Sequence, residues 1–591
     1  MTAELTERVT HGVYTLIDAL AARGEKQPND TAYVFLRDGE HPEPPLTYGA
    51  LADAAASRAA AFVAFGLAGR PALLLYPSGL EFVRTLLGCM RAGVIAAPLQ
   101  VPTRARSLDR VRRVARDAGT RTVLTTAAVR ADLLERFGDG PELAGLDLVA
   151  TDTLPVASGI DTAMLLPPPE QDAPALLQYT SGSTGDPKGV VVSHANFLHN
   201  AVETQETWPC GSDGVVVSWL PLFHDMGMLF GVVLPLLAGV PAHLMAPDAF
   251  IRRPARWLEA ISRFRGTHAA APSFAYELCV KAADAGAVPE GLDLSCWRVA
   301  ANGAEPVRWR AIEAFTAAFA PHGFDARAMC PGYGLAENTL KATGDRCDKP
   351  PTVLWLSDDA RRDGRVTPRP AGTPGASPLV GCGRPVGETR VLIVDPDSLV
   401  PAGEDTIGEI WVSGPCVAGG YHGRPELTEQ VFRARPAARP AARPADGRTY
   451  LRTGDLGFLH DGVLFVNGRL KDVIVRTGRN YYPQDIELSA ESSAPGLHPN
   501  CAAAFSVDDG ATERLVVVVE VDGRTARAVE PALLRRLVRD AVWDNHRLET
   551  AEVLLVRRGS LPKTTSGKVQ RRAARGLYED GTLAAAAVGA R

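Results

Sequence analysis

The sequence predicts an α/β protein with more than one domain. From Thr31 onward, short apolar runs alternate with helically spaced segments, the pattern of parallel strands joined by crossover helices. A glycine- and hydroxyl-rich string, residues 179–190, lies between the apolar run Ala175-Leu176-Leu177 and the β-branched run Val190-Val191-Val192, so it reads as a loop between two strands. At 591 residues the chain is too long for one core, so two or more domains are expected.

Taken in order, residues 13–23 have helical spacing and 31–36 read as a strand. Leu51 to Ala64 is an alanine-rich helix, 73–76 a short buried strand, Gly79 to Ala92 a helix and 94–99 a further strand. The helix around Leu108 to Arg116 carries Arg110, Arg112, Arg113 and Arg116, read as a solvated face. In the string 179–190, glycines let backbone N–H groups approach an anion, hydroxyls add donors, and Lys188 adds charge. That is the chemistry of a phosphate cradle, or else a small-residue surface turn. It is not a Walker loop, because Pro187 precedes Lys188 and Gly189 follows it.

Val215 to Gly227 is a strand running into a Pro-broken loop with adjacent His224 and Asp225, either a base with its orienter or a loop anchor. No G-x-S-x-G elbow accompanies it, so no hydrolytic triad is implied. Residues 267–278 are a strand entering a helix, with Ser273 expected as N-cap. Residues 297–306 are a strand ending in a tight turn at Asn302-Gly303-Ala304. In 329–339, Gly332 and Gly334 bracket Tyr333, which lets the ring lie flat against a planar base. Glu337 is either a helix-surface residue or a hard oxygen ligand suited to magnesium, with Thr184 as its hydroxyl partner.

Residues 345–383 form an unusual Pro- and Gly-rich stretch, and 435–446 repeat Arg-Pro-Ala-Ala, expected to be exposed and mobile without a function. Asp455 is a carboxylate that can accept two hydrogen bonds, suited to a ribose diol, and Arg469 can reach ribose or phosphate with a planar fork. A small domain follows, with a strand over 515–521 and a helix near 533–543. Near the end of the chain, small residues in Leu561-Pro-Lys-Thr-Thr-Ser-Gly-Lys568 hold Lys568 on a flexible loop.

Hydrophobic content of 46% and charged content of 22% are those of a soluble globular protein. The net charge of −5 argues against nucleic acid as a partner. Nine cysteines without a CxxC pair argue against a disulfide framework or zinc site and fit a reducing cytoplasm. Glu4 and Glu7 and the lack of a long apolar run argue against a secretory leader, and no stretch reaches the roughly 18 apolar residues of a spanning helix, so an integral membrane protein is not expected.

From about Leu46 to Arg572 the chain resembles the adenylate-forming enzymes: acyl-CoA synthetases, luciferases, peptide-synthetase adenylation domains and fatty acyl-AMP ligases. The loop 179–190 resembles the phosphate loop of the whole group, while the string Trp219-Leu-Pro-Leu-Phe-His-Asp-Met-Gly227, Arg479-Asn-Tyr-Tyr-Pro-Gln-Asp-Ile-Glu487 and the extra segment at about 350–378 resemble the fatty acyl-AMP ligase branch. The resemblance implies a large domain of layered α/β subdomains over 1–470 and a small mobile α+β domain over 471–591, hinged at Lys471. It implies ATP-dependent activation of a fatty acid to acyl-AMP, assisted by Mg2+ held at Glu337 and Thr184, and transfer of the acyl group to a carrier-protein phosphopantetheine thiol. An acyl-CoA ligase, an idle nucleotide-binding module and a scaffold subunit are the alternatives. Lys568, His224, Thr184 and Glu337 would be catalytic. Thr180, Ser181, Gly182, Ser183, Thr184, Gly185, Lys188, Asn302, Gly303, Ala304, Tyr333, Gly334, Asp455 and Arg469 would bind the nucleotide. Met226, Gly227, Ser273 and Phe274 would line the acyl pocket. Asn338, where many such ligases have Ala, and the bulky Met228-Leu229-Phe230 bear on that pocket's size.

Overall fold

A computed structural model describes residues 14–138, 143–154, 167–179, 187–437, 447–476, 478–498, 500–508, 513–564 and 567–588. Thr180 to Gly185, most of the Arg-Pro-Ala-Ala repeat, and Thr565 and Ser566 lie outside the described residues.

Two large sheets carry most of the chain. One runs in the order Asp147–Ala150, Thr122–Thr125, Pro71–Leu75, Ile95–Leu99, Pro174–Tyr179, Gly189–Ser193, and only its last pair is antiparallel. That pair flanks the glycine-rich string, as the sequence predicts. The other centres on the parallel strands Ala242–Met245, Val216–Ser218, His268–Ala271, Val299–Asn302 and Met329–Gly334, and the antiparallel Lys341–Gly344 closes it. Helices Tyr48–Ala64 and Leu80–Ala92 pack so closely that a Cβ at Gly88 would overlap that of Arg58. Trp257, Tyr276, Trp297 and Phe315 meet edge to face behind the second sheet. This core joins both sheets.

A four-stranded antiparallel sheet follows, in the order Arg390–Val394, Gly408–Ser413, Leu451–His460, Val463–Arg469. The Pro- and Gly-rich stretch is folded: Val353–Ser357 pairs with Pro368–Arg369 and Ala376–Val380, and the short helix Asp358–Arg362 lies between. Beyond the turn Leu470–Asp472, residues 474–588 bury cores of their own around the strands Ala502–Asp508, Glu513–Val521 and Glu552–Arg557. Among the described residues, no helix is long and apolar enough to cross a membrane.

One expectation changes. Ser273 is the first residue of helix Ser273–Asp284 and not its cap; Pro272 holds that place. The Ser273 hydroxyl donates to Asn302 Oδ1 (3.1 Å) on the neighbouring strand and accepts from the Arg308 N–H (3.2 Å), so a tertiary partner outcompetes the local one. The Arg-rich helix, Ala105–Asp117, is largely the solvated face expected: Arg113 and Arg116 are exposed, while Arg110 is half-buried in the wall of the cleft described below, whose rim Arg113 also lines.

The buried Asn200, on helix His194–Thr207, fixes the turn after Tyr333. Its amide donates to the carbonyls of Lys341 (2.8 Å) and Asn338 (3.3 Å), and its Oδ1 accepts the Lys341 N–H (3.2 Å). Asn200→Ala takes the acceptor from the Lys341 N–H, while the two carbonyls keep the Asn338 amide (2.8 Å) and the Leu340 N–H (2.6 Å), and is expected to cost roughly 1–3 kcal/mol. Urea unfolding measures it, and an unchanged midpoint would mean that strand pairing alone carries the turn.

Candidate active site

A cleft of about 2140 Å³ opens where the two large sheets, the four-stranded sheet and residues 474–588 meet. One wall is the end of strand Val299–Asn302 and the strand Met329–Gly334. A Cβ at Gly303 would lie 2.8 Å from the Gly332 carbonyl oxygen, so only glycine lets these chains approach. Ala304 takes φ +67°, which tightens the turn. Tyr333 is pinned by its hydroxyl, which donates to Asp455 Oδ2 (2.8 Å). Arg469 Nε donates to Asp455 Oδ1 (3.1 Å), and the two residues are directly paired on antiparallel strands. Asp455 thus orients an aromatic ring and a guanidinium at once, and each of its oxygens retains a lone pair.

Across the cleft stands the His224-Asp225 loop. His224 Nδ1 and Asp225 Oδ1 are 2.6 Å apart, and the Met226 N–H donates to Asp225 Oδ1 (2.7 Å), so the pair also anchors the start of helix Asp225–Met228. Burial opposes ionisation of Asp225, but His224, and beyond it Lys568, outweigh it and hold the carboxyl below its ordinary range. Lys568 reaches the cleft from residues 474–588. Its N–H donates to Thr564 Oγ1 (3.0 Å), and the Thr564 N–H donates back to the Lys568 carbonyl (2.7 Å). Gly567 takes φ +83° with the edge of Phe274 close by. Burial pushes the Lys568 ammonium down from the ordinary lysine value, while Asp225, Glu305 and Asp455 pull it back up.

Glu337, in the turn Ala336–Asn338, accepts from the Tyr421 hydroxyl (2.9 Å), and burial pushes its carboxyl up. The Lys188 ammonium stands 5.4 Å from the centre of the Tyr421 ring. Lys188 and Glu337 therefore meet on one phenol. Asp117 ties both ends of the glycine-rich string: it accepts from the Tyr179 hydroxyl (2.8 Å) and from Arg424 (2.8 Å), and Arg424 also donates to the Pro187 carbonyl (3.1 Å).

Of the sequence-predicted residues, Lys188, His224, Met226, Asn302, Gly303, Ala304, Tyr333, Gly334, Glu337, Asp455, Arg469, Lys471 and Lys568 all line this cleft. Lys471 is exposed in the turn that leads to residues 474–588. The acyl-pocket expectation needs correction. Ser273 is fully buried with its hydroxyl occupied, and a Cβ at Gly227 would overlap the Pro221 carbonyl oxygen, so Gly227 serves a backbone approach. Phe274 packs edge-on against Trp219 (6.2 Å) and beside Gly567. The lining beyond Met226 is instead Trp208, Phe230, Leu340, Lys341 and Thr343. The chain becomes a π-turn at Leu229–Val233, and Phe230 lies 5.8 Å from Trp208. Sequence reasoning also missed Tyr421, although Gly419-Gly420-Tyr421 places glycines beside an aromatic much as at Tyr333.

The AMP-binding enzyme family matches residues 20–422, and the AMP domain of the Disco-interacting protein 2-like family matches residues 471–588. JamA of Moorena producens, a medium-chain-fatty-acid–acyl-carrier-protein ligase, is 41% identical over 575 residues, which cover 96% of each chain. FadD26 of Mycobacterium tuberculosis, a long-chain-fatty-acid–AMP ligase, is 37% identical over 94% of this chain and 95% of its own. The solved structure of fatty acyl-adenylate ligase from L. pneumophila in complex with acyl adenylate and pyrophosphate superimposes with a TM-score of 0.73 at 35% identity, covering 96% of each chain. The cleft between a large α/β body and a small domain is thus the shared architecture of these relatives, and the chain belongs to the AMP-binding, adenylate-forming enzymes, in their fatty acyl-AMP ligase branch.

Proposed function

We propose that this protein activates a fatty acid with ATP to acyl-AMP and pyrophosphate, then passes the acyl group to the phosphopantetheine thiol of a carrier protein in the cytoplasm. The observation that carries the reading is the Lys568 ammonium, desolvated in the cleft under the pull of Asp225 and Asp455. A fatty carboxylate oxygen attacks the α-phosphorus, an O–P bond forms, and pyrophosphate leaves. Negative charge crowds on the phosphate oxygens, so catalysis is mainly positioning and electrostatics. Lys568 bridges the carboxylate and α-phosphate. Asn302-Gly303-Ala304, Tyr333 and Gly334 wall the adenine, Asp455 takes the ribose diol, and Arg469 reaches ribose or phosphate. Lys188 and the hydroxyls of 180–184 hold the pyrophosphate, and His224 stands beside the carboxylate.

Glu337 fits a magnesium ion by its chemistry: it is a hard oxygen donor, half-buried, its carboxyl pushed up by desolvation, and bonded through its side chain to a neutral phenol. Mg2+ is bound in such sites through one or two carboxylates and substrate phosphates, and it would neutralise phosphate charge there. Thr184 is its proposed second ligand. The division at 470/471, with Lys471 as hinge, is supported by the separate cores of 474–588 and by the second family match beginning at 471.

Lys568→Ala is expected to cut pyrophosphate release about a hundredfold or more while leaving the fold intact. The charged ammonium is the active form, and burial lowers its pKa, so wild-type activity should fall with rising pH below the ordinary lysine range. A near-wild-type rate in the variant would remove Lys568 from the mechanism.

Asp455→Ala should weaken ATP binding by roughly 1–3 kcal/mol, the worth of a lost charged acceptor. Calorimetric titration with ATP reads this, and unchanged affinity would leave Asp455 as an anchor for Tyr333 and Arg469 alone.

The acceptor depends on the inserted segment. Arg361, buried, donates to Asp485 (3.0 Å) and to Asn467 (3.3 Å), and its guanidinium stacks 5.4 Å from the Tyr482 ring. Arg479 meets Asp359 (3.2 Å) and Asp363 (3.3 Å). These contacts tie the insertion to the small domain in the pose that presents Lys568. A bias of roughly 2–3 kcal/mol would reduce a CoA-accepting pose about thirty- to a hundredfold. Deleting 353–376, or the narrower Arg361→Ala, should leave acyl-AMP formation near normal and raise acyl-CoA formation. A folded, adenylating deletion variant that still makes no acyl-CoA would refute the restraint.

A further inference from the structure

The far end of the cleft holds a charge that the proposed chemistry does not use. Beyond Met226 and Phe230, the lining is Trp208, Lys341 and Thr343. Trp208 closes this end rigidly. Its indole N–H donates to the Asp345 carbonyl (2.7 Å), and its ring fills the space where a Cβ at Gly332 or Gly344 would stand 3.1 or 2.8 Å away. Beside it, the Lys341 ammonium lies 5.8 Å from the Trp208 ring centre.

Lys341 is 3% exposed. Among the described residues its ammonium makes one hydrogen bond, to Thr207 Oγ1 (3.0 Å). Glu203, the acid that acts on it most, has both carboxylate oxygens engaged by Thr389. An ammonium has three donors, and burying one without acceptors is costly. Burial accordingly pushes this lysine down to about 8. Two donors therefore remain to be met at the closed end of a cavity whose walls are otherwise Trp208, Phe230, Met226, Leu340 and Thr343, whose hydroxyl donates to the Cys382 carbonyl (2.7 Å).

We propose that Lys341 recognises a hydrogen-bond acceptor near the distal end of the acyl chain, so that the preferred substrates are fatty acids oxygenated at or near that end. This rests on the adenylating reading of the site and deepens it. The competing role for Lys341 is structural: its charge could serve only the C-terminal end of helix His194–Thr207. That role affects stability but not the choice between acids of equal length.

The test uses the full chain with ATP and Mg2+, measuring pyrophosphate release on graded lengths of alkanoic, ω-hydroxy and dicarboxylic acids. At one or more lengths, kcat/KM for an oxygenated acid should exceed that of the equal-length alkanoic acid about tenfold or more, the worth of one hydrogen bond to a charged donor. Lys341→Met should bring that ratio to near one or below. Lys341→Gln, which keeps neutral donors, should retain part of the preference for the hydroxy acids and lose any for the dicarboxylic acids. Wild-type protein that adenylates but favours alkanoic acids at every length overturns the proposal, as does a ratio that survives in Lys341→Met. Absence of adenylation with any acid would overturn the reading of the site itself, and this inference with it.

Discussion

The structure turns on bringing one ammonium group, that of the half-buried Lys568, into the cleft. Desolvation opposes this, and the fields of Asp225, Glu305 and Asp455 offset it. Those acids belong to the large body, whereas Lys568 belongs to residues 474–588, so the charge is stable there only when the two parts are apposed. The base of its loop is fixed locally. The buried Glu520 accepts from the Gly559 and Leu561 N–H groups and from the Lys563 ammonium (2.8 Å). The start of the loop is thus tied to the strand Glu513–Val521, and Gly567 takes a positive φ just before Lys568.

Two arginines of the large body hold the apposition from different sides. Arg308, just past the Asn302-Gly303-Ala304 turn, donates to Glu491 (3.2 Å) and Asn500 (2.8 Å). Arg361, in the insertion, donates to Asp485. Glu491 and Asp485 lie on one helix, Pro483–Glu491. The same helix carries Glu487, which takes Arg571 in a two-pronged bond (2.6 and 2.7 Å), and Arg571 also reaches Asp472 (3.3 Å). A rotation at Lys471 keeps the Glu487–Arg571–Asp472 cluster whole, because all three residues move together. It must break the contacts of Arg308 and Arg361. It must also break those of Arg479 with Asp359 and Asp363, of Gln484 with the Asn467 carbonyl (2.6 Å) and of Lys281 with His498 (3.2 Å), so the mechanical cost of changing pose is shared among several polar contacts.

The strands and helices up to Leu99 and the two strands that flank the glycine-rich string were legible in the sequence, because apolar period and glycine content are local signals. So were Tyr333, Glu337, Asp455 and Lys568, which stand in strings dense with glycine or small residues. What the sequence hid are partners far apart along the chain. Tyr421 meets Glu337 across 84 residues, and Arg424 meets Asp117 across 307, separations that no periodicity encodes. Ser273 was misread as a cap because a hydroxyl before a helix satisfies the local rule, while Asn302, its actual partner, sits on an adjacent strand. The insertion read as a Pro- and Gly-rich stretch because its strands pair across turns at Gly364 and Gly375, both at positive φ.

The charges of the cleft fall into answered and unanswered groups, and this division orders the proposed reaction. Asp225 is answered by His224 and Lys568, and Asp455 by Arg469. These pairs orient side chains before a substrate arrives, which spares reorganisation when charge develops on phosphate. Glu337 is answered differently: its side chain is bonded to the neutral Tyr421 hydroxyl, and burial raises its carboxyl. An acid so placed gains most from an incoming cation, and the Lys188 ammonium stands 5.4 Å from the ring centre of the same phenol, so one aromatic residue links the proposed metal ligand to the strand that follows the glycine-rich string.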